Sequence, residues 1–348
     1  ETLAWLARLV MRHGTICLWR LAAHLTTAAQ TESVRRRFYR FFQFVNLDGA
    51  MAARVVVDLL GLSGKPWVLA IDRTSWDFGK TTINILMISA MWNGMGIPLI
   101  WSLLPSVGNA NTATRKCLLD RLRQAFPDAR IASLMGDREF IGDAWMAYLA
   151  ALKIPFILRL RENQRVMREG YETWTMTDIA RRLAQGQKMI VKGWCRLGQD
   201  ANRQSPAGRL VVMRLPTGEL LALACSGNPR RAFAAYRDRW KIETLFGNLK
   251  TRGFNLEDTH IPNADKLSTL LGVVALAVAL AVKTGVAVAR LKPIPLKKHG
   301  RKAWSLLALG LHRLQKIFAS ATYAQTTVFL KQLLSPKLPI NPWISITH

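Results

Sequence analysis

Residues 67–72 read W-V-L-A-I-D, five apolar positions closed by an acid, directly after the Gly64-Lys65-Pro66 break. Two further apolar runs follow, T-I-N-I-L-M-I-S-A-M-W over 82–92 and I-P-L-I-W-S-L-L over 97–104, joined through N-G-M-G, a hairpin signal. A helix is expected over about 112–125. Then comes R-I-A-S-L-M-G-D at 130–137, another apolar run ending in an acid. A helix over 144–152 and a fifth strand over 156–160 complete the pattern. Three strands in a meander, then helix, strand, helix, strand, predict an α/β fold with a mixed sheet and flanking helices. Near-continuous apolar strands belong in a sheet covered on both faces. An acid at the end of such a strand emerges at the sheet edge, where neighbouring strand ends converge. Asp72 and Asp137 are the two candidates.

Outward from this core, residues 1–63 read as helices. The segment 31–45, T-E-S-V-R-R-R-F-Y-R-F-F-Q-F-V, mixes four arginines with five aromatics, and Thr31 or Ser33 is its expected cap. Arginine beside aromatics suits contact with DNA. An amphipathic helix with Phe38, Phe41 and Phe42 in the core explains the same pattern, and the two readings are compatible. Residues 163–227 are polar and punctuated by glycine, with short strands expected near 189–191, 210–214 and 220–225. This is a β-rich insertion. Helices are expected over about 229–252 and over 264–291. Beyond Pro293 the chain is basic and helical to about Leu334, with a proline-containing tail.

The segment 236–250, Y-R-D-R-W-K-I-E-T-L-F-G-N-L-K, places Tyr236, Arg239, Glu243 and Lys250 at spacings of three, four and seven. On a continuous helix these four fall within about 60° of one another. One carboxylate flanked by cations and a phenol is a poor core. It suits a phosphodiester held beside a metal-binding acid, although a solvated helix with internal ion pairs fits too.

The chain has 348 residues, 50% of them hydrophobic, enough for a large core. Lys and Arg total 49 against 22 Asp and Glu, a net charge of +27. Such an excess implies a polyanionic partner, nucleic acid first and an acidic membrane surface second. Four dispersed cysteines form no C-x-x-C pair, and six histidines form no H-x-x-x-H pair, against zinc sites and a disulfide framework. Residues 1–25 are interrupted by Arg8, Arg12 and Arg20 and are not read as a secretory signal. The run 267–282 is alanine-rich and shorter than the roughly 20 residues of a spanning helix. It is expected to be a buried core helix, not a membrane segment.

Asp72, Asp137 and Glu243 form a set of hard oxygen donors of the kind that binds Mg²⁺. Two such ions can activate an attacking oxygen and stabilise a leaving one in phosphodiester chemistry. Isolated aspartates are also common turn and cap residues. Asp77 and Glu139 are neighbouring acids with supporting or purely structural roles.

These residues resemble the blocks of the DDE transposases of bacterial insertion sequences. Asp72-Arg73-Thr74, Trp76, Gly79-Lys80 and Asn84 look like the first catalytic block. Asp137-Arg138-Glu139-Phe140-Ile141-Gly142 looks like the second. Tyr236, Arg239, Glu243 and Lys250 match the Y-x2-R-x3-E-x6-K signature of the hairpin-forming, insertion sequence 4 type branch. Gly108-Asn109-Ala110-Asn111 and R-G-F-N-L-E-D-T-H at 252–260 continue the likeness, which spans about residues 66–262. It implies a ribonuclease-H-like core with Asp72 on the first strand, Asp137 on the fourth and Glu243 on the helix after a β insertion. The implied organisation is a helical N-terminal region over 1–63, a candidate for DNA binding, and a core over 64–162 and 228–292. The insertion occupies 163–227, and a basic helical C-terminal region 293–348.

The resemblance further implies Mg²⁺, with Mn²⁺ as a substitute, at Asp72, Asp137 and Glu243. Tyr236, Arg239 and Lys250 would contact DNA. Trp194 would stack on a base displaced as a hairpin forms, with Trp174 as its rival and core packing as the plainer role for either. The partners implied are double-stranded DNA, as terminal inverted repeats and target, and a second copy of the chain on paired ends. The location implied is the cytoplasm, at the nucleoid. A nuclease of the same core without strand transfer and a non-catalytic DNA-binding descendant are the alternatives; a basic membrane-surface protein would leave the acids unexplained.

Overall fold

The computed structural model describes residues 2–334 apart from 26, 79–80, 106–107, 109, 169–172, 199–200, 203, 251–252, 260, 262, 299 and 321–322. Gly79, Lys80, Asn109, Arg252 and His260 of the motifs above lie outside that set, as does the tail from 335 onward.

Four helices open the chain: α1 (Thr2–His13), α2 (Leu18–Ala23), α3 (Thr31–Phe44) and α4 (Gly49–Leu60). In α3, Val34, Phe38 and Phe42 repeat every fourth residue and are buried, which seats one face and leaves Arg36 and Arg40 in solvent. Neither Thr31 nor Ser33 caps it; Thr31 is the first helical residue, and Gln30 holds the cap position without a side-chain bond.

The sheet follows. Its first part is β1 (Trp67–Phe78), β2 (Thr81–Trp92), β3 (Met95–Leu104), α5 (Thr112–Ala125), β4 (Ile131–Gly136), α6 (Asp143–Ala151) and β5 (Phe156–Arg159). The β2–β3 turn has positive φ at both Asn93 and Gly94, the backbone that a two-residue hairpin demands. Strand order is β3-β2-β1-β4-β5. β1 runs antiparallel to β2 and parallel to β4, and β4 runs parallel to β5. This is the mixed, ribonuclease-H-like sheet.

One expectation needs correction. Asp72 does not end its strand, because β1 continues to Phe78. Beyond Asp72 the residues alternate, with Thr74 and Trp76 buried and Ser75 and Asp77 exposed, as a half-covered hairpin arm requires. Asp72 marks instead the point where β1 loses its parallel partner, since the last β1–β4 pair is Ile71 with Gly136.

The sheet then extends outward. β6 (Arg165–Arg168), β7 (Thr173–Thr175), α7 (Met176–Ala180), β8 (Lys188–Ile190), β9 (Cys195–Gly198), β10 (Ala207–Arg214) and β11 (Leu220–Cys225) come next. β11 pairs with β5, so these strands prolong the core sheet to eleven among the described residues.

The chain returns through α8 (Pro229–Tyr236), a 3₁₀ turn at Arg237–Arg239 and α9 (Trp240–Leu249). α10 (Ala264–Leu291), α11 (Leu306–Ser320) and α12 (Tyr323–Leu334) finish the described fold. α10 has the length and apolarity of a membrane span but is buried inside the protein, as a core helix packed on α4, α11 and β3. It even buries Lys283, whose Nζ donates to the Leu59 carbonyl at 2.6 Å, near the C-terminus of α4 where a cation is favoured. Burial pulls the Lys283 amine down to about 8.

Candidate active site

The parallel register of β1 and β4 aligns Ile71 with Gly136, so Asp72 and Asp137 follow side by side where that pairing stops. Gly136 is required there. A Cβ would lie 2.9 Å from the Phe140 Cβ and 3.1 Å from the Leu158 Cδ2. Each aspartate accepts a bond from the following N–H: Asp72 Oδ1 from Arg73 at 2.8 Å, Asp137 Oδ1 from Arg138 at 2.7 Å. Asp137 thereby caps the short 3₁₀ turn Arg138–Phe140.

The helix expected over 229–252 is not continuous. A 3₁₀ turn separates α8 from α9, and α9 stops at Leu249. The turn winds more tightly than an α-helix, and Lys250 leaves the helix altogether, so one continuous helical face does not describe the four residues. Burial of Phe254 and Leu256 draws the chain back: Phe254 N donates to the Asn248 carbonyl at 3.1 Å and Asn255 N to the Lys250 carbonyl at 2.7 Å.

Tertiary packing nevertheless gathers most of this set around the aspartates. Arg239, only 2% exposed, donates Nη1 to Asp72 Oδ2 at 3.2 Å and Nη2 to Glu243 Oε1 at 2.6 Å. One guanidinium therefore joins the strand acid to the helix acid. Tyr236 is buried, and its hydroxyl donates to Asp137 Oδ1 at 3.4 Å. Lys250 sits lower on β1, with Nζ donating to the Ser75 carbonyl at 2.6 Å and paired with Glu257 at 3.3 Å. Trp194 stands apart, half exposed on the turn before β9, with the Arg209 guanidinium 5.3 Å from its ring centre. Trp174 packs partly against the core.

The electrostatics follow from burial. Loss of water pushes the Asp72 carboxyl up to about 7; the Arg73 N–H and Arg239 pull it down, while Asp137 and Glu243 push it further up. Burial alone would lower Arg239, but Tyr236, Glu243, Asp137 and Asp72 outweigh it and keep the guanidinium charged. Burial also raises the Tyr236 phenol, which stays protonated and able to donate.

The placement of three side chains beside the site was not legible in the sequence. Arg159, at the end of β5, lies 3.9 Å from Asp137 and also pairs with Glu219. Arg73 pairs with Glu139. Trp240, next to Arg239, is 59% exposed at the rim of the cluster. The nearest signal was position: each is adjacent, in sequence or in register, to a motif acid or arginine.

The donor set is carboxylate oxygen, which fits a hard divalent cation. A buried aspartate raised to about 7 despite a neighbouring arginine is short of positive charge, which fits it too. Among the described residues no group of three or more His, Cys, Asp or Glu converges as a ready metal cage. Arg239 lies between Asp72 and Glu243, and Glu243 joins the aspartates around a cation only where Arg239 yields one of its two bonds.

A family model described as "Transposase DDE domain" matches residues 63–280. No curated protein matches the chain in sequence. One similar solved structure is a cryo-EM structure of the piggyBac transposase synaptic complex with hairpin DNA. It is 11% identical with a TM-score of 0.43, over 96% of this chain and 77% of that one. Another is a crystal structure of an endonuclease V from Bacillus subtilis, 12% identical with a TM-score of 0.25, over 71% of this chain and 94% of that one.

Proposed function

This chain belongs to the transposase DDE domain family, and on that premise we propose that it cuts the ends of a mobile DNA element and joins them to target DNA. The observation that carries the reading is the cluster itself: Asp72 and Asp137 side by side beyond the β1–β4 ladder, and Glu243 tied to Asp72 through Arg239. Asp72 and Asp137 would hold one Mg²⁺ and Glu243 would help hold the other, with Mn²⁺ able to substitute. Bound there, the ions supply activation of the attacking oxygen and charge stabilisation of the leaving one. The protein's own part is orientation. The Tyr236 hydroxyl steadies Asp137, and Arg239 steadies Asp72 and Glu243 until DNA phosphate competes for its guanidinium. Lys250 holds a phosphate further along β1. Water, then a DNA 3′-hydroxyl, attacks phosphorus in line, so no covalent protein–DNA intermediate forms.

The Y-x2-R-x3-E-x6-K spacing supports the hairpin-forming branch, with Trp194 as the residue that stacks on the displaced base. The net charge of +27 supports a DNA partner. α3 adds a surface for it: Arg35 lies over the rings of Trp19 and Tyr39 at 5.1 and 5.4 Å. In this reading residues 1–63 bind DNA, 64–162 with 228–292 form the catalytic core, 163–227 are the insertion and 293–348 a basic region. The enzyme works at the nucleoid as a dimer on paired ends.

The test is single-turnover cleavage and plasmid strand transfer with a duplex carrying the inverted repeats that flank the gene. Cleavage and joined product are expected with Mg²⁺ or Mn²⁺. Full activity in excess EDTA overturns the metal reading; cleavage without joined product reduces the protein to a nuclease.

A further inference from the structure

The backbone ladder between β1 and β4 ends at Ile71 and Gly136, one residue short of the two aspartates. What spans the gap beyond it is a side-chain ion pair. Arg73, next after Asp72, grips Glu139, two residues past Asp137. Its Nε lies 3.1 Å from Oε1 and 3.4 Å from Oε2, and its Nη2 lies 3.3 Å from Oε2. Nη1 donates to Asn84 Oδ1 at 3.2 Å, and the buried Asn84 donates onward to the Gly108 carbonyl at 3.1 Å. From the other side Arg115 of α5 donates Nη2 to the Glu139 carbonyl at 2.7 Å and lies over the Phe140 ring at 5.2 Å. The turn that begins at Asp137 is therefore held from two directions.

The geometry suits alignment better than adhesion. A planar guanidinium set on both oxygens of a carboxylate fixes angle as well as distance. Each side chain is only 20% exposed, so the pair is largely shielded from water and each charge depends on the other staying in place. Successive side chains leave opposite faces of a strand, so Arg73 projects from the face of β1 opposite Asp72, away from the reacting groups.

We propose that the Arg73–Glu139 pair, braced by Asn84, is a positioning device that fixes the separation of the Asp72 and Asp137 carboxylates. The inference rests on reading those two aspartates as a shared metal site. Supporting partners of metal ligands are worth about ten- to a hundredfold in affinity or activity, and a displacement on the order of 1 Å costs about a hundredfold in rate.

The experiment compares Glu139→Gln, Arg73→Gln, the double variant and Asp137→Asn. Three quantities are read: Mn²⁺ affinity of the free protein by calorimetry, single-turnover cleavage of the end-bearing duplex, and thermal midpoint. Each glutamine variant is expected to weaken Mn²⁺ binding and slow cleavage by about ten- to a hundredfold, with the midpoint moved by only a few degrees. The double variant should be no worse than the worse single one, because the pair acts as a unit. Unchanged Mn²⁺ affinity in Glu139→Gln overturns the proposal, as does a loss that only tracks the thermal midpoint. Should a glutamine variant fail to fold, Arg73→Lys keeps the charge without the fork. Weakened Mn²⁺ binding in Arg73→Lys supports alignment, and wild-type affinity overturns it. Asp137→Asn separates the two readings. If it binds Mn²⁺ and cleaves like the wild type, the metal site itself is misassigned. If it loses both while Glu139→Gln does not, only the positioning role fails.

Discussion

Asp72 and Glu243 share one guanidinium, yet the molecule presents them in opposite ways. Asp72 lies mid-strand with its side chain 14% exposed, and β2 pairs with β1 on both sides of it. Glu243 is 41% exposed on a helix that begins from a 3₁₀ turn. A strand acid is fixed by ladder hydrogen bonds, which cannot slip by less than a residue. A helix acid is fixed only by side-chain packing and by Arg239, and it can be reseated. The site joins a rigid floor to an adjustable arm. Desolvation falls on the floor, and the acid raised to about 7 is Asp72.

The largest effect expected separates these two. Asp72→Asn and Glu243→Ala should each slow cleavage by about a thousandfold or more, since metal-borne stabilisation of several kcal/mol is lost with a ligand. End binding should persist or tighten, because an acid beside DNA repels it. Their stabilities should diverge. In EDTA the folded Asp72 titrates near 7, against 3.8 when unfolded. Between those values the native state holds the extra proton, so stability falls as pH rises through this window and is lowest above 7. Asp72→Asn should remove that loss and raise the thermal midpoint at pH 8, whereas Glu243→Ala should keep most of the pH dependence. Equal pH–stability profiles for Asp72→Asn and wild type would erase the contrast.

Gly136→Ala probes the rigid floor alone. Its Cβ meets the Phe140 Cβ at 2.9 Å, so the backbone before Asp137 must shift. Overpacking should cost about 1–3 kcal/mol, and a shift on the order of 1 Å about a hundredfold in cleavage. A control substitution on the arm, Thr244→Ala, should change little, because Thr244 is exposed and its hydroxyl bonds the Trp240 carbonyl of its own helix at 3.2 Å. Paired single-turnover rates decide it; equal losses would mean that the floor is no more rigid than the arm.

Thr244→Ala aside, the smallest effect is expected from Trp194→Ala, remote from both regions. First-strand cleavage should stay close to wild type, and hairpin formation should fall by about five- to tenfold, as the loss of a base–aromatic stack implies. Unchanged hairpin yield would remove Trp194 from the site.

Both aspartates and Glu243 were legible because each breaks a local pattern: an acid closing an apolar run, or a carboxylate among cations at helical spacing. Arg73 and Glu139 stood in the two motif blocks, with Glu139 read as a supporting or purely structural acid, but nothing in the sequence paired them; only the parallel register brings them within 3.1 Å. The 236–250 segment shows the limit of periodicity. Its spacing grouped Tyr236, Arg239 and Glu243, which the fold also brings together, but not by the continuous helix assumed, and it placed Lys250 with them although Lys250 lies lower on β1. Burial of Phe254 and Leu256 ends α9 and sends Lys250 to Ser75 instead.

The sequence by itself determined the order of the core strands and helices, the buried character of α10, the excess of positive charge and which three acids to propose for the site. Each is a matter of composition or short-range period, which a local window contains. Only the tertiary structure decided that β1 runs past Asp72, that β10 and β11 prolong the core sheet, and that Arg239 sits between Asp72 and Glu243. These depend on which distant segments exclude water together. Strand register, helix termination and the raised Asp72 carboxyl are set by that burial, not by neighbours in the chain.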